Sequence, residues 1–289
     1  MTEARYTLTV PAERFQSADA LVKRLEDNLL FEPLAITITE TDAARSLWEV
    51  TFYFETAEDA EAARALDGLA AGSVAAVPER DWVRQSLDGL SPVRAGRFFL
   101  HGAHDRNRRR QGGISLEIDA GTAFGTGHHG TTEGCLLALD RLLKRRRPLS
   151  VLDLGCGTGV LAIATARANG RAVLATDIDA EAVRVTRANA ALNGARSLVE
   201  SLAASGLSHP RIVARAPFDL IFANILARPL VALATKLATA LAPGGTLILS
   251  GITLDQIRWI TATYRSRGLM FETCLRRGEW GTLVFRRPG

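Results

Sequence analysis

Apolar side chains recur along the chain in two periods. Over Tyr6-Thr7-Leu8-Thr9-Val10 apolar and polar residues alternate, as in a strand with one buried face. Leu21, Val22, Leu25 and Leu29 then share one side of a helix, for which Ser17 is the expected cap. Two more alternating runs follow, Leu34, Ile36 and Ile38, then Trp48, Val50, Phe52 and Phe54, joined by a polar, turn-like stretch over 40–46. Thr56, with Asp59 three residues on, opens a second helix that Gly68 stops, and Val74 to Val77 supplies a fourth strand. Strand, helix, strand, strand, helix, strand is the order of a small ferredoxin-like α+β layer.

The pattern changes after Pro78. Residues from Pro78 to Pro92, with the lone Trp82, read as a short linking helix between proline ends. Arg97 to Leu100 and Ile114 to Ile118 read as strands around a polar loop, Asp105 to Gln111. Beyond them come apolar strands at Val151 to Leu154, Val173 to Asp177, near Leu198, at Phe218 to Asn224 and at Leu247 to Leu249. Helical stretches alternate with them: one from Val160 to about Gly170, one capped by Asp179 and ending at Asn193-Gly194, one with Pro229 at its opening, and one with a Thr253 and Gln256 capping box. Residues 195–217 otherwise lack a pattern. Met270 to Leu275 and Thr282 to Phe285 close the chain as two strands around Gly278-Glu279. Such alternation predicts an α/β doubly wound sheet whose last strand runs antiparallel. The expected domains are 1–78, a linker helix over 79–94, and 95–289.

Chemistry concentrates at Val151-Leu152-Asp153-Leu154-Gly155-Cys156-Gly157-Thr158-Gly159, where a strand runs into a glycine loop and a helix. Its glycines read G-x-G-x-G rather than the G-x-G-x-x-G of a dinucleotide site. Asp153 at the strand end would repel a pyrophosphate but could neutralise a methionyl ammonium, directly or through water. Asp177 lies 22 residues after Gly155 at the end of the next strand, where an acid accepts both hydroxyls of an adenosyl ribose. The two acids favour S-adenosylmethionine over NAD; a dehydrogenase, or glycines that merely permit close helix packing, remain open. Residues 119–132 carry four glycines and form a loop made for close approach to a ligand, or a plain turn. Thr131 or Thr132 caps the following helix, where backbone N–H groups could meet a carboxylate.

Composition narrows the setting. Of 289 residues, 47% are apolar, which excludes a disordered chain. The N-terminus lacks the pattern of a signal peptide, and Arg228 and Lys236 interrupt the best candidate for a membrane span, so a soluble cytoplasmic protein is expected. Cys135, Cys156 and Cys274 are scattered, and His101, His104, His128 and His129 lack enough neighbouring ligands, so no metal is expected. Residues 1–100 carry 10 Lys and Arg against 17 Asp and Glu, whereas 101–289 carry 25 against 14. An acidic front part suits a basic protein partner, or is an ordinary solvated surface.

Four segments together carry a specific resemblance: Ala123-Phe124-Gly125-Thr126-Gly127 with Thr131-Thr132, the Asp153 to Gly159 loop, Asp177-Ile178-Asp179, and Asn224-Ile225-Leu226-Ala227. With the Asp81-Trp82 linker and the small first domain, nearly the whole chain resembles the bacterial methyltransferases of large-subunit ribosomal protein L11, within the class I S-adenosylmethionine-dependent enzymes. The resemblance implies a seven-stranded methyltransferase sheet and a substrate-recognition role for 1–78. It implies S-adenosyl-L-methionine held by Thr132, Gly155, Asp177 and Asn224 with Phe124 as a neighbour, to which the glycine loop adds Asp153 and Gly157; from the chemistry of methyl transfer, Asn224 and the carbonyl of Ile225 are expected to orient the acceptor amine. It further implies a monomer that methylates lysine ε-amines and the N-terminal α-amine of a basic ribosomal protein, with neither membrane nor nucleic acid required. Ala120 and Gly130 stand where prolines are usual, which loosens the first loop. Three rivals remain: an RNA methyltransferase using the arginine-rich loop and Arg145-Arg146-Arg147, an enzyme for another protein or small amine, and a non-catalytic module that binds the cofactor.

Overall fold

The computed structural model describes residues 6–26, 33, 35–42, 47–76, 92–108, 112–118 and 130–289. The chain divides into two compact units, Met1–Trp82 and Val83–Gly289. The first runs β1 (Tyr6–Ala12), α1 (Phe15–Glu26), β2 (Ala35–Asp42), β3 (Leu47–Phe54), α2 (Ala57–Arg64) and β4 (Ser73–Ala76). Its sheet has the order β2-β3-β1-β4 with every pair antiparallel, the ferredoxin-like arrangement expected from the alternation. Leu8, Val10, Val50, Phe52 and Phe54 are buried on the sheet, and Leu25, Ala60 and Ala63 are buried on the helices packed against it. Ser17 is not a cap. α1 starts two residues earlier because Phe15 and Ala18 extend its apolar stripe, with Phe15 edge-on to Trp48 at 5.0 Å between ring centroids. Thr56 does cap α2, accepting from the Asp59 N–H at 3.1 Å. Leu29, Leu34, Val77 and most of the expected linker lie outside the described residues.

The second unit opens with β5 (Val93–Ala95), β6 (Phe98–His101) and β7 (Ile114–Glu117), a small sheet in which β6 and β7 run parallel. The polar loop after β6 contains a 3-10 turn, Ala103–Arg108, whose arginines face inward partners: Arg108 pairs with Asp105 at 3.1 Å, and Arg106 binds the buried Glu117 with two N–H groups. The remainder is α3 (Gly130–Leu143), β8 (Val151–Leu154), α4 (Val160–Asn169), β9 (Val173–Asp177), α5 (Ala180–Leu192), β10 (Val199–Ala203), α6 (Pro210–Arg215), β11 (Phe218–Asn224), α7 (Ala227–Ala240), β12 (Leu241–Thr253), α8 (Ile257–Arg265), β13 (Met270–Arg277) and β14 (Trp280–Arg286). Seven strands form one sheet in the order β10-β9-β8-β11-β12-β14-β13. β14 is antiparallel to both neighbours, so the last strand of the chain is inserted beside the edge rather than added at it.

Alternation along the strands divides the core between two faces. Val151, Val173 and Phe222 pack with α3 and α4, while Leu152, Leu174 and Ile221 pack with α7 and α8. Several local expectations change. β12 begins at Leu241, not after Gly244-Gly245, because the glycines form an irregularity inside it: a Cβ on Gly245 would stand 2.7 Å from the Ala242 carbonyl oxygen. α6 lies in the unpatterned stretch, started by Pro210 and by the His209 ring nitrogen, which accepts from the Arg211 N–H at 3.2 Å. The Thr253 and Gln256 box is half-formed. Gln256 accepts from the Thr253 N–H at 3.1 Å, but the threonine hydroxyl turns to Asp255.

Candidate active site

In a sheet of this order the connections after β8 and β11 leave on opposite sides, so a crevice opens at the carboxyl ends of those two strands. Here β8 gives way to the glycine loop. Gly155, Gly157 and Gly159 have φ of 71°, 52° and 80°, a conformation that a side chain would strain. The loop hangs from the end of β9: the N–H groups of Gly155 and Cys156 donate to the Thr176 carbonyl at 2.8 and 3.0 Å, and that of Gly157 donates to Asp177 Oδ2 at 2.8 Å. Asp177 Oδ1 accepts from the Asp179 N–H at 3.1 Å. Each oxygen keeps acceptor capacity for a hydroxyl. Ile178 beside it is 78% exposed, a bare apolar side chain at the rim. Its hydropathy gave no warning, since only the exposure makes it unusual.

Asp153 is 1% exposed. Its Oδ2 accepts from the Ala162 N–H at 3.0 Å, in the first turn of α4, and its buried Oδ1 has no hydrogen-bond partner. Burial pushes its pKa up to about 7; the Ala162 N–H opposes that shift and the charge of Asp177 adds to it. Burial, and then the neighbouring Asp153 charge, also raise the Cys156 thiol, which is 3.3 Å from Thr186 Oγ1.

Across the crevice, Asn224 ends β11 in register with Ser250 of β12. Ile225 follows and is gripped from two sides. A Cβ on Gly155 would stand 2.3 Å from Ile225 Cγ2, and one on Gly251 would stand 2.4 Å from the Ile225 carbonyl oxygen. The structure therefore brings together Asp153, Gly155, Gly157, Asp177 and the Asn224-Ile225 strand end. Gly251 was missed from the sequence, although a glycine interrupting an apolar strand is the available signal. Thr131 and Thr132 are not caps: α3 already begins at Gly130, and both threonines are buried in its first turn. Gly130 and Gly134 let this helix seat closely, a Cβ on the latter falling 2.1 Å from Thr282 Oγ1. Arg277 Nε adds an ion pair to Glu133 at 2.8 Å. Phe124 lies outside the described residues.

An open cleft of about 670 Å³ elsewhere in this unit, lined by Arg97, Asp140 and Lys144, shares none of these residues. Among the described residues no group of three or more His, Cys, Asp and Glu is gathered for a metal, and no helix is long and apolar enough to cross a membrane.

The residues fit an adenosyl amino acid. The Gly155 cradle meets the movable end of Ile225, Asp177 offers two acceptors, and the orphaned Oδ1 of Asp153 lies enclosed beside the loop, on a carboxyl whose ionisation a ligand ammonium would favour. Strand order, reversed β14, glycine loop and the acid closing β9 define a class I S-adenosylmethionine-dependent methyltransferase. The family model described as ribosomal protein L11 methyltransferase (PrmA) matches residues 11–288. Curated relatives called ribosomal protein L11 methyltransferase include one from Caulobacter, 46% identical with 94% of each chain covered, and one from Rhizobium leguminosarum, 45% identical with 100% of each covered. A crystal structure of ribosomal protein L11 methylase from Lactobacillus delbrueckii subsp. bulgaricus is similar at TM-score 0.62 and 30% identity, covering 68% of this chain and 99% of that one. The chain belongs to the ribosomal protein L11 methyltransferase family.

Proposed function

We propose that the protein transfers methyl groups from S-adenosylmethionine to ribosomal protein L11, at lysine ε-amines and at the N-terminal α-amine, acting as a monomer in the cytoplasm. Bound S-adenosylmethionine supplies a methyl carbon made electrophilic by its sulfonium. The protein's task is to align nitrogen, carbon and sulfur and to keep water out. Asp177 accepts from the ribose hydroxyls, Gly155 and Gly157 let the ligand lie against the backbone, and Asp153 balances the ammonium through water. Thr132 and Phe124 border the same ligand. At the other side the Asn224 amide oxygen and the Ile225 carbonyl accept from the acceptor amine and orient its lone pair.

Magnitude bears on the need for a base. A lysine with pKa ~10.4 needs roughly 4 to 5 kcal/mol for deprotonation at pH 7, an α-amine near ~8 only about 1. Carbonyl oxygens accept more strongly from an ammonium than from a neutral amine, but two neutral acceptors hold that charge less than a carboxylate would. The proton leaves to solvent before transfer, the two oxygens then orient the lone pair, and no strong base is assigned. The observation that carries this reading is the strand end Asn224-Ile225 facing the glycine loop, with Ile225 Cγ2 seated at Gly155. Its test is tritiated methyl transfer to unmodified L11 followed by mass spectrometry of the product. Asn224→Ala is expected to abolish labelling and to weaken cofactor binding; normal labelling with normal cofactor affinity would remove Asn224 from the site. The RNA alternative loses support because Arg106, Arg108 and Arg146 are engaged within the fold, the last donating to the Gly244 carbonyl at 2.7 Å.

A further inference from the structure

Three residues of the loop from Gly155 to Gly159 are glycines in the left-handed region, so little in its own backbone restricts its shape. Its N–H groups hang from the end of β9, at Thr176 and Asp177. Its carbonyls are held by α5, the next helix after that strand. Thr186 Oγ1 donates to the Gly157 carbonyl at 2.9 Å, and Asn189 Nδ2 donates to the Thr158 carbonyl at 2.9 Å. The threonine methyl rests on the loop as well, since a Cβ on Gly159 would stand 2.8 Å from Thr186 Cγ2. Thr186 and Asn189 lie three residues apart on one face of α5, and are 0% and 1% exposed. A buried helix stripe is ordinarily apolar. Here two polar side chains stand in it and direct donors to a neighbouring loop. With Asp177 they belong to one β9–α5 unit, so the segment that offers the ribose acceptor also shapes the loop beside it.

We infer that Thr186 and Asn189 are positioning residues for the cofactor, which hold the Gly157 and Thr158 carbonyls so that the free loop already has the shape its ligand needs. Neither is assigned a contact with the cofactor. Without these donors the two carbonyls would turn to water in the free protein, and each binding event would have to rebuild the loop, which lowers affinity. This rests on the reading of the glycine loop and Asp177 as the seat of S-adenosylmethionine.

Calorimetry with S-adenosylhomocysteine on the full chain, with melting temperatures alongside, tests this. Thr186→Val keeps the shape and removes the donor, whereas Thr186→Ser keeps the donor and removes the methyl group that rests on Gly159. Thr186→Val and Asn189→Ala are each expected to raise Kd roughly tenfold, the worth of one hydrogen bond. Their kcat at saturating S-adenosylmethionine should stay within about twofold of the parent, because the bound ligand then orders the loop. Thr186→Ser is expected to melt earlier yet keep parental Kd. A matched control lies at the far end of the sheet, where the buried amide of Asn169 donates to the Pro148 carbonyl ahead of β8. Asn169→Ala should likewise lose melting temperature and keep parental Kd. Affinity that follows melting temperature across all four variants overturns the proposal. So does parental Kd in Thr186→Val or Asn189→Ala while Asp177→Ala binds poorly, which leaves the reading of the site intact. If Thr186→Val does not fold, Asn189→Ala against Asn169→Ala decides. Parental Kd in Asp177→Ala would remove both the proposal and the reading beneath it.

Discussion

Asp153 carries the clearest consequence at the residue scale. Its pKa is raised to about 7, first by burial, so the native protein holds this proton more tightly than the unfolded chain does. The associated stability is full below the ordinary carboxylate pKa and is lost as pH rises toward 7. Asp153→Asn keeps an oxygen for the Ala162 N–H but never ionises. Its unfolding free energy is therefore expected to fall less than the parent's between pH 5 and 7.5, as urea denaturation at several pH values would reveal. A ligand ammonium acts in the opposite direction and favours the carboxylate. Binding of S-adenosylhomocysteine at pH 6.5 should thus release a proton, measurable as a buffer-dependent heat in calorimetry, and Asp153→Asn should lose that dependence. Equal heats in all buffers for the parent would refute the coupling.

Elements meet the site through glycines whose role is absence of bulk. Gly134 lies within α3, where replacement by alanine would ordinarily stabilise a helix by about 1 kcal/mol. Here the added Cβ meets Thr282 Oγ1 at 2.1 Å on β14, so overpacking, worth about 1 to 3 kcal/mol, should exceed the propensity gain. Gly134→Ala is expected to unfold at lower urea, and Thr282→Ala in the same chain to restore part of the loss; an increase in stability would show that α3 can shift away at little cost. The same kind of contact separates what was legible in the sequence from what was not. Asp179 was readable as the cap of α5, which accepts from Glu181 at 2.9 Å, because capping depends on residues two or three apart. The close seating of α3 was not, since it depends on Arg277 and Thr282, brought near only by the sheet. α6 escaped because a histidine replaces the usual cap residue. Where β12 begins was hidden for a related reason, glycines reading as a turn when they form a bulge inside a strand.

Over the whole molecule, charge and topology suggest a division of labour. The first unit presents Glu13, Glu40, Glu55 and Glu58 to solvent on its ferredoxin-like frame, and its part of the sequence is acidic, which complements a basic ribosomal protein. Removing residues 1–78 is expected to abolish methylation of L11 while the remaining chain, which has its own two-faced core, binds S-adenosylhomocysteine with parental affinity. Unchanged methylation by the shortened chain would deny the first unit a part in substrate capture. By itself the sequence determined the element order, the alternation that makes each strand two-faced, and the acids and glycines of the cofactor loop, because these depend on periods of two to four residues and on single conformations. Only the tertiary structure decided that Asp153 is enclosed and holds its proton, that β14 slips in beside β12, and that Gly155 and Gly251 grip Ile225 from opposite sides. Burial, strand order and the closeness of two backbones arise from segments distant in the chain, and no local pattern encodes which of them will meet.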